Sequence, residues 1–240
     1  MGEPLDIVVP LGQGSRWNNM ELLYSLRSIE KHVKNFGRVF VVGQFPDFLN
    51  ENAIHIAQPV QTGNPAHNIA LNLLTACRDE RLSETFTYLN DDYFFCQDVD
   101  IATYPTYWKC DLHHTVRINT TDYRRHVKST IEVLTEQGHG TKNFDCHYPS
   151  TFNKTLLANV IESNNFNRPF GLTLKSLYFN TLGIEGIFRE DCKQVQIKKP
   201  EAWRMYARTT EVFSIADTCI NNTFKDFMAE MYPQKSRWER

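Results

Sequence analysis

Leu5-Asp6-Ile7-Val8-Val9-Pro10-Leu11, then Asn19 to Lys34, then Arg38-Val39-Phe40-Val41-Val42-Gly43 is the stretch that decides the fold. The first run is apolar, closed by Pro10 and loosened by Gly12 and Gly14, which predicts a buried strand ending in a loop. Leu22, Leu23, Leu26, Ile29 and Val33 then recur at helical spacing. Asn18 or Asn19 offers a cap, and Glu21 sits in the first turn. Arg38 to Gly43 is a second apolar strand. Strand, helix, strand in so few residues starts an α/β fold with parallel strands.

Working outward, Ile54 to Ala57 predicts a third strand, Asn68 to Arg78 a helix, and Thr85 to Leu89 a fourth strand. Beyond residue 100 the pattern loosens. Segments near 115–119 and 194–198 have strand character, whereas Asn153 to Glu162 and Thr218 to Met231 read as helices. No repeat, low-complexity run or linker interrupts the chain. The expectation is one domain over 1–240, with residues 1–100 as an α/β half and 101–240 as an irregular half.

Composition narrows the function classes. The 240 residues are 41% hydrophobic and 22% charged, ordinary values for a globular chain. The net charge of −2 and the lack of any long basic block argue against duplex nucleic acid as a partner. The six cysteines form no C-x-x-C pair and match no zinc spacing, so reduced thiols in a cytoplasmic protein are expected. No signal-peptide pattern and no apolar run of bilayer-spanning length is visible, which leaves at most a peripheral membrane association.

Three places carry chemistry. Asn90-Asp91-Asp92 follows a buried strand and precedes Tyr93-Phe94-Phe95. Two adjacent anions beside an apolar run are unfavourable without a cation or donors, and Mg²⁺ or Mn²⁺ bridging a diphosphate meets that need. A pair of turn-forming aspartates is the plainer reading. Phe144-Asp145-Cys146-His147-Tyr148-Pro149 offers His147 as a further metal ligand and Asp145 as a base for an acceptor hydroxyl, against a merely hydrogen-bonded structural histidine. Arg124 and Arg125 match phosphate oxygens but fit a solvated helix face equally well. The loop from Pro10, through Leu11 and Gly12, lies where ligands bind in parallel sheets, although it also suits a plain strand-to-helix turn.

The order of these residues resembles a known family. Met20-Glu21-Leu22-Leu23-Tyr24-Ser25-Leu26-Arg27-Ser28-Ile29-Glu30-Lys31 is similar to the opening of the second conserved region of the Stealth proteins. These are bacterial capsular-polysaccharide phosphotransferases related to the animal N-acetylglucosamine-1-phosphotransferase. The likeness continues through Phe45-Pro46-Asp47-Phe48-Leu49, Asn68 and Leu82 to Phe94, including Asn90-Asp91-Asp92. It covers residues 20–100 well and 140–182 in patches, through His147, Pro149, Lys154 and Ser176 to Asn180. The resemblance implies a nucleotide-sugar fold, Asp91 and Asp92 as metal ligands and His147 as their partner.

The acidic Val-Asp-Gly-Ser-Asp segment that opens Stealth proteins is absent. In its place, Asp6 to Ser15 resembles the first strand and nucleotide loop of a GT-A sugar transferase, and Tyr232 to Glu239 resembles the ending of small bacterial glycosyltransferases. The sequence therefore leads to a GT-A-like mixed α/β sheet flanked by helices. The expected activity is metal-dependent transfer of a sugar, UDP-hexose being the first choice of donor, to a glycan or lipid-linked glycan in bacterial surface polysaccharide. Pro10, Leu11, Gly12, Asn68, Asn90, Arg124 and Arg125 would hold the donor. Asp91, Asp92 and His147 would hold Mn²⁺ or Mg²⁺, and Asp145 or Glu185 would act as base. Hexose-1-phosphate transfer and a non-catalytic carbohydrate-binding module are the rival readings.

Overall fold

The computed structural model describes residues 3–60, 62–119, 121–195 and 199–240. In chain order the elements are β1 (Leu5–Leu11), α1 (Met20–His32), β2 (Val33–Lys34), β3 (Phe36–Gly43), β4 (Ala53–Ile56), α2 (Pro65–Cys77), β5 (Thr85–Tyr88), β6 (Phe94–Phe95) and β7 (Val99–Asp100). There follow β8 (Tyr107–Trp108), α3 (Leu112–Ile118), α4 (Tyr123–Glu136), β9 (Ser150–Asn153), α5 (Lys154–Ser163), α6 (Leu174–Thr181), β10 (Ile187–Phe188), β11 (Lys193–Gln194), α7 (Pro200–Thr209), β12 (Val212–Ile215) and α8 (Asn222–Met231).

The main sheet has the order β4-β3-β1-β5-β9. Its first four strands are parallel, as the sequence predicts, and β9 closes one edge antiparallel to β5. Strand periodicity sorts the core into two faces. Val8, Phe40 and Phe86 point to one side, against α2, α5 and α6. Ile7, Val9, Val39 and Val41 point to the other, against Leu22, Leu26 and Ile29 of α1. All of these side chains are essentially inaccessible, so both faces of the sheet are covered, the usual state of parallel strands. A second, three-stranded sheet, β11-β12-β6, packs Phe94 and Phe213 against Trp203, Phe224 and Phe227 of α7 and α8.

A buried carboxylate ties the amino ends of the strands together. Asp6 accepts hydrogen bonds from the Arg38 backbone (2.8 Å) and guanidinium (2.8 Å), and from the Ser83 backbone (3.1 Å) and hydroxyl (2.8 Å). Gly37 is needed here, because a Cβ would stand 2.7 Å from Asp6 Oδ1.

The structure corrects several local expectations. Residues 115–119 belong to α3 and its C-terminal end rather than to a strand, and Asp111 caps that helix by accepting from His113 N at 2.7 Å. The strand preference of the β-branched Thr115, Val116 and Ile118 is overridden by this cap and by packing. Of 194–198, Gln194 is in β11, and residues 196–198 lie outside the described residues. Asn19 does not cap α1. It sits at φ 59, and Ser15 Oγ takes the Asn19 N–H instead, at 2.8 Å. Helix α2 starts three residues earlier than predicted, with Pro65 in its first turn and Asn64 as cap.

Candidate functional site

Strand β5 ends at Tyr88, and Leu89 N still bonds Val8 O at 3.0 Å, so the chain leaves the sheet under restraint. Six residues later Phe95 N bonds Ser28 Oγ at 3.0 Å and β6 pairs with β12. Asn90, Asp91 and Asp92 are thus held at both ends, at the carboxyl edge of the parallel strands where α/β folds bind ligands.

Three cavities meet at these residues. The second, of about 450 Å³, lies between the loop at Pro10, Gly12 and Gln13 and the start of α2, and includes Asn68, Asn90 and Asp91. The third, of about 550 Å³, is acidic, with Glu21, Asp91, Asp92 and Asp217 on its walls and Arg16 and Lys193 as its basic groups. The largest, of about 760 Å³, lies on the other side and is lined by Tyr88, Asn90, Tyr93, Asp145, His147 and Lys175 among others.

Within the acidic cavity, Asp92 Oδ2 accepts from Ser214 Oγ at 2.6 Å, while Asp92 Oδ1 is buried with no partner among the described residues. Burial, Asp92 and Glu21 together push Asp91 up to about 7. Glu21 is only 6% exposed and is raised by burial, then by Asp217 and Asp92, although Ser15 Oγ donates to it at 2.8 Å. Carboxylates that raise one another's affinity for protons have an unmet demand for positive charge. The orphaned Asp92 oxygen and the hard-oxygen character of the set fit Mg²⁺ or Mn²⁺. Among the described residues no group of three or more His, Cys, Asp or Glu converges in a metal-binding arrangement. A cation here would draw on one or two carboxylates and on ligand oxygens, the habit of Mg²⁺ beside phosphates.

His147 is placed differently from the expectation. Strand β9 runs back from the sheet edge with Ser150 opposite Tyr88, which brings residues 145–148 beside residues 88–92. However, His147 Nδ1 lies 3.0 Å from Asp191, and its Nε2 lies 3.2 Å from Lys193 Nζ. The imidazole is therefore turned to an ammonium rather than to the aspartates, and is not a metal ligand in this geometry. Burial lowers its proton affinity, and with an ammonium facing it, Nε2 is the acceptor of the Lys193 contact while Nδ1 faces Asp191. Burial opposes the charge on Asp191, but His147 and the Lys109 ammonium at 2.7 Å hold its carboxyl well below the usual range.

The remaining predicted residues divide. Pro10 and Gly12 line the second cavity, but Leu11 is 1% exposed and packs into the core beneath it. Asn68 lines the same cavity with both ends of its amide engaged by Thr62, so it shapes the loop. Asn90 borders two cavities and accepts the Tyr88 hydroxyl. Asp145 lines the largest cavity, with Ser176 Oγ at 3.2 Å and Tyr123 Oη at 3.4 Å. Glu185 lies elsewhere: its side chain is 91% exposed and pairs with Lys142. Arg124 and Arg125 are exposed on α4 and line none of these cavities; Arg125 lies 3.8 Å from Asp122 and over the Phe170 ring.

Sequence reading missed Glu21, Lys175, Asp191, Lys193 and Ser214. Glu21 was legible only as a helix residue. Lys193 and Ser214 are register partners in β11 and β12, and β12 pairs with β6 directly after Asp92, a proximity no spacing reveals.

Comparison with known proteins adds a partial likeness. The chain is 35% identical over 99 residues to the mouse N-acetylglucosamine-1-phosphotransferase subunits alpha/beta, and 37% identical over 93 residues to the human protein. Each match covers 34% of this chain and 7% of the relative's length. No family model matches. An active-site mutant of LgtC superimposes with a TM-score of 0.48 at 12% identity, covering 97% of this chain and 98% of that one. A glycosyltransferase involved in glycosylation of the major capsid of PBCV-1 gives 0.40 at 8%, covering 96% and 100%. These structural likenesses are faint, and the chemistry must be read from the cavities themselves.

Proposed function

We propose that this chain is a GT-A-like, metal-dependent glycosyltransferase that moves a sugar from a nucleotide-sugar, UDP-hexose first among donors, to a glycan acceptor of bacterial surface polysaccharide. The observation that carries this reading is the Asp91–Asp92 pair at the meeting point of three cavities, with a buried oxygen on Asp92 that has no partner among the described residues. The second cavity, between the Pro10 loop and α2, takes the nucleoside. The acidic cavity takes the diphosphate with its cation. The largest cavity, with Asp145 and its tyrosines, takes the sugar and acceptor. On this reading the N-terminal half serves the donor and the C-terminal half the acceptor.

Asp91 and Asp92 hold Mn²⁺ or Mg²⁺, which supplies charge neutralisation for the departing nucleoside diphosphate. Lys193, steadied by His147 and bordering both the acidic and the largest cavity, adds a fixed positive charge on the leaving group's path. Asp145 accepts the acceptor hydroxyl's proton as its oxygen bonds the anomeric carbon and the carbon–phosphate-oxygen bond breaks, in the inverting form of the reaction. Ser176 and Tyr123 orient that carboxylate. Among the described residues no helix is long and apolar enough to cross a membrane.

A second reading is transfer of hexose 1-phosphate, which the match to the phosphotransferase subunits favours. The two reactions differ in what leaves. A donor screen with Mn²⁺, scored separately for nucleoside diphosphate and monophosphate, tests them. Diphosphate release that Asp92→Ala abolishes is the expected result. Monophosphate release selects the second reading, and no nucleotide release from any donor rejects both.

A further inference from the structure

The largest cavity contains a buried positive charge that the reaction outlined above does not use. Lys175, on α6, is 7% exposed and lines the cavity beside Tyr88 and Tyr93. Among the described residues its Nζ reaches only neutral oxygens: the carbonyls of Cys146 and Tyr148 (3.5 Å) and the Tyr93 hydroxyl (3.4 Å). Its ammonium stands 5.8 Å from the centre of the Tyr88 ring. The other lysines of the cavity are engaged differently. Lys109 is neutralised by Asp191 at 2.7 Å, and Lys193 is held by His147.

A buried charge without a counter-ion is unfavourable, and natural interiors rarely keep one unless something brought from outside completes it. Carbonyl dipoles satisfy the protons of Lys175 but leave its net charge in place. Tyr88 and Tyr93 line the cavity beside it, so an anion arriving there would meet the ammonium against aromatic walls, where a charge-assisted hydrogen bond is stronger than in open water.

We propose that Lys175 is an anion-binding residue, and that the ligand of the largest cavity carries a phosphate group which its ammonium meets. This rests on the reading of the cavities as a nucleotide-sugar and acceptor site and narrows it. The phosphate belongs either to a phosphorylated sugar seated in the cavity or to the donor's diphosphate reaching across from Asp91. Both present the same chemistry to Lys175.

The test is calorimetric binding of glucose 1-phosphate, glucose and UDP with Mn²⁺ to the wild type and to Lys175→Gln. Glutamine keeps an N–H donor but carries no charge, and the variant's melting temperature reports any loss of a structural role separately from ligand affinity. The expected result is that wild type prefers glucose 1-phosphate or UDP over glucose, and that Lys175→Gln weakens that phosphate ligand about tenfold while glucose is unaffected. Loss confined to glucose 1-phosphate assigns the phosphate to the sugar in the cavity, and loss confined to UDP assigns it to the donor. Equal binding of both phosphates by wild type and a folded Lys175→Gln overturns the proposal. Should the variant not fold, a wild type that binds glucose 1-phosphate no better than glucose, and UDP no better in low salt than in high, overturns it equally. A wild type that binds no nucleoside diphosphate at all instead overturns the glycosyltransferase reading.

Discussion

The two ends of the parallel sheet each bear buried acidic residues, and they are treated in opposite ways. At the amino end, Asp6 is 2% exposed and receives donors from Arg38 and Ser83 on both oxygens. Burial alone would raise its proton affinity, but those donors outweigh it and hold the carboxyl below its ordinary value. At the carboxyl end, Asp91 is driven up to about 7 by burial and by Asp92 and Glu21. Asp92 Oδ1 beside it has no partner among the described residues. The same fold can evidently satisfy a buried carboxylate. That it does so at one end and not at the other separates a carboxylate that holds strands together from the pair proposed above to bind a cation.

The sharpest way to break this contrast is Asp92→Ala. Turnover is expected to fall about 10²- to 10³-fold, the usual result of removing one electrostatic contributor from a site. Thermal stability should hold or rise. A large loss of melting temperature with turnover preserved would place Asp92 with Asp6 among structural residues.

Asp6→Ala should do the reverse, costing about 1–3 kcal/mol in urea denaturation, because it leaves the Arg38 and Ser83 backbone N–H groups without their acceptor, with turnover per folded molecule unchanged. Acid titration extends the test. Since the folded carboxyl of Asp6 is depressed, its stabilisation is complete above the ordinary carboxylate range and is lost as pH falls through its lower folded value. Asp91 has the opposite sign. Its folded value is raised to about 7, so without metal its contribution to stability falls as pH rises from the ordinary carboxylate range to about 7, then levels off. Asp91→Asn should remove that slope. Proton and cation compete for this carboxylate, so Mn²⁺ affinity measured by calorimetry should weaken about tenfold for each pH unit below 7 and be flat above it. The smallest effect is expected at Glu185, a carboxylate that is 91% exposed. Glu185→Gln should leave turnover and melting temperature where they were, and a loss of turnover would return it to the list of bases.

Much of the sheet was legible because parallel strands buried on both faces are written as unbroken apolar runs, as in Ile7 to Val9 and Val39 to Val42. The aspartate pair was legible because a strand delivers it directly. The acidic cavity's other members were not. Glu21 looked like any first-turn acid, yet α1 turns it inward to 6% exposure. His147 misled for a related reason. Its neighbours in sequence suggested a metal ligand, whereas Asp191, 44 residues later, fixes the imidazole, and Lys193 takes its remaining nitrogen. Arg124 and Arg125 failed because a basic run on a helix reads the same whether it faces a cavity or water, and here it faces water. The helix at 112–118 was hidden by β-branched residues whose preference one aspartate cap and its packing outweigh.

Residues 90–92 have a further consequence through the walls they share. Asn90 borders the largest and second cavities, and Asp91 borders the second and the acidic one. A molecule entering any of the three presses on the same short stretch of backbone, pinned at Leu89 and Phe95. Occupancies that share a wall are coupled to the extent that one molecule shifts that stretch for the other. If filling one cavity helps the filling of another, the reverse assistance is equal in free energy. Were the proposed donor and acceptor to bind here, their affinities measured singly and together would show that coupling as a departure from additivity.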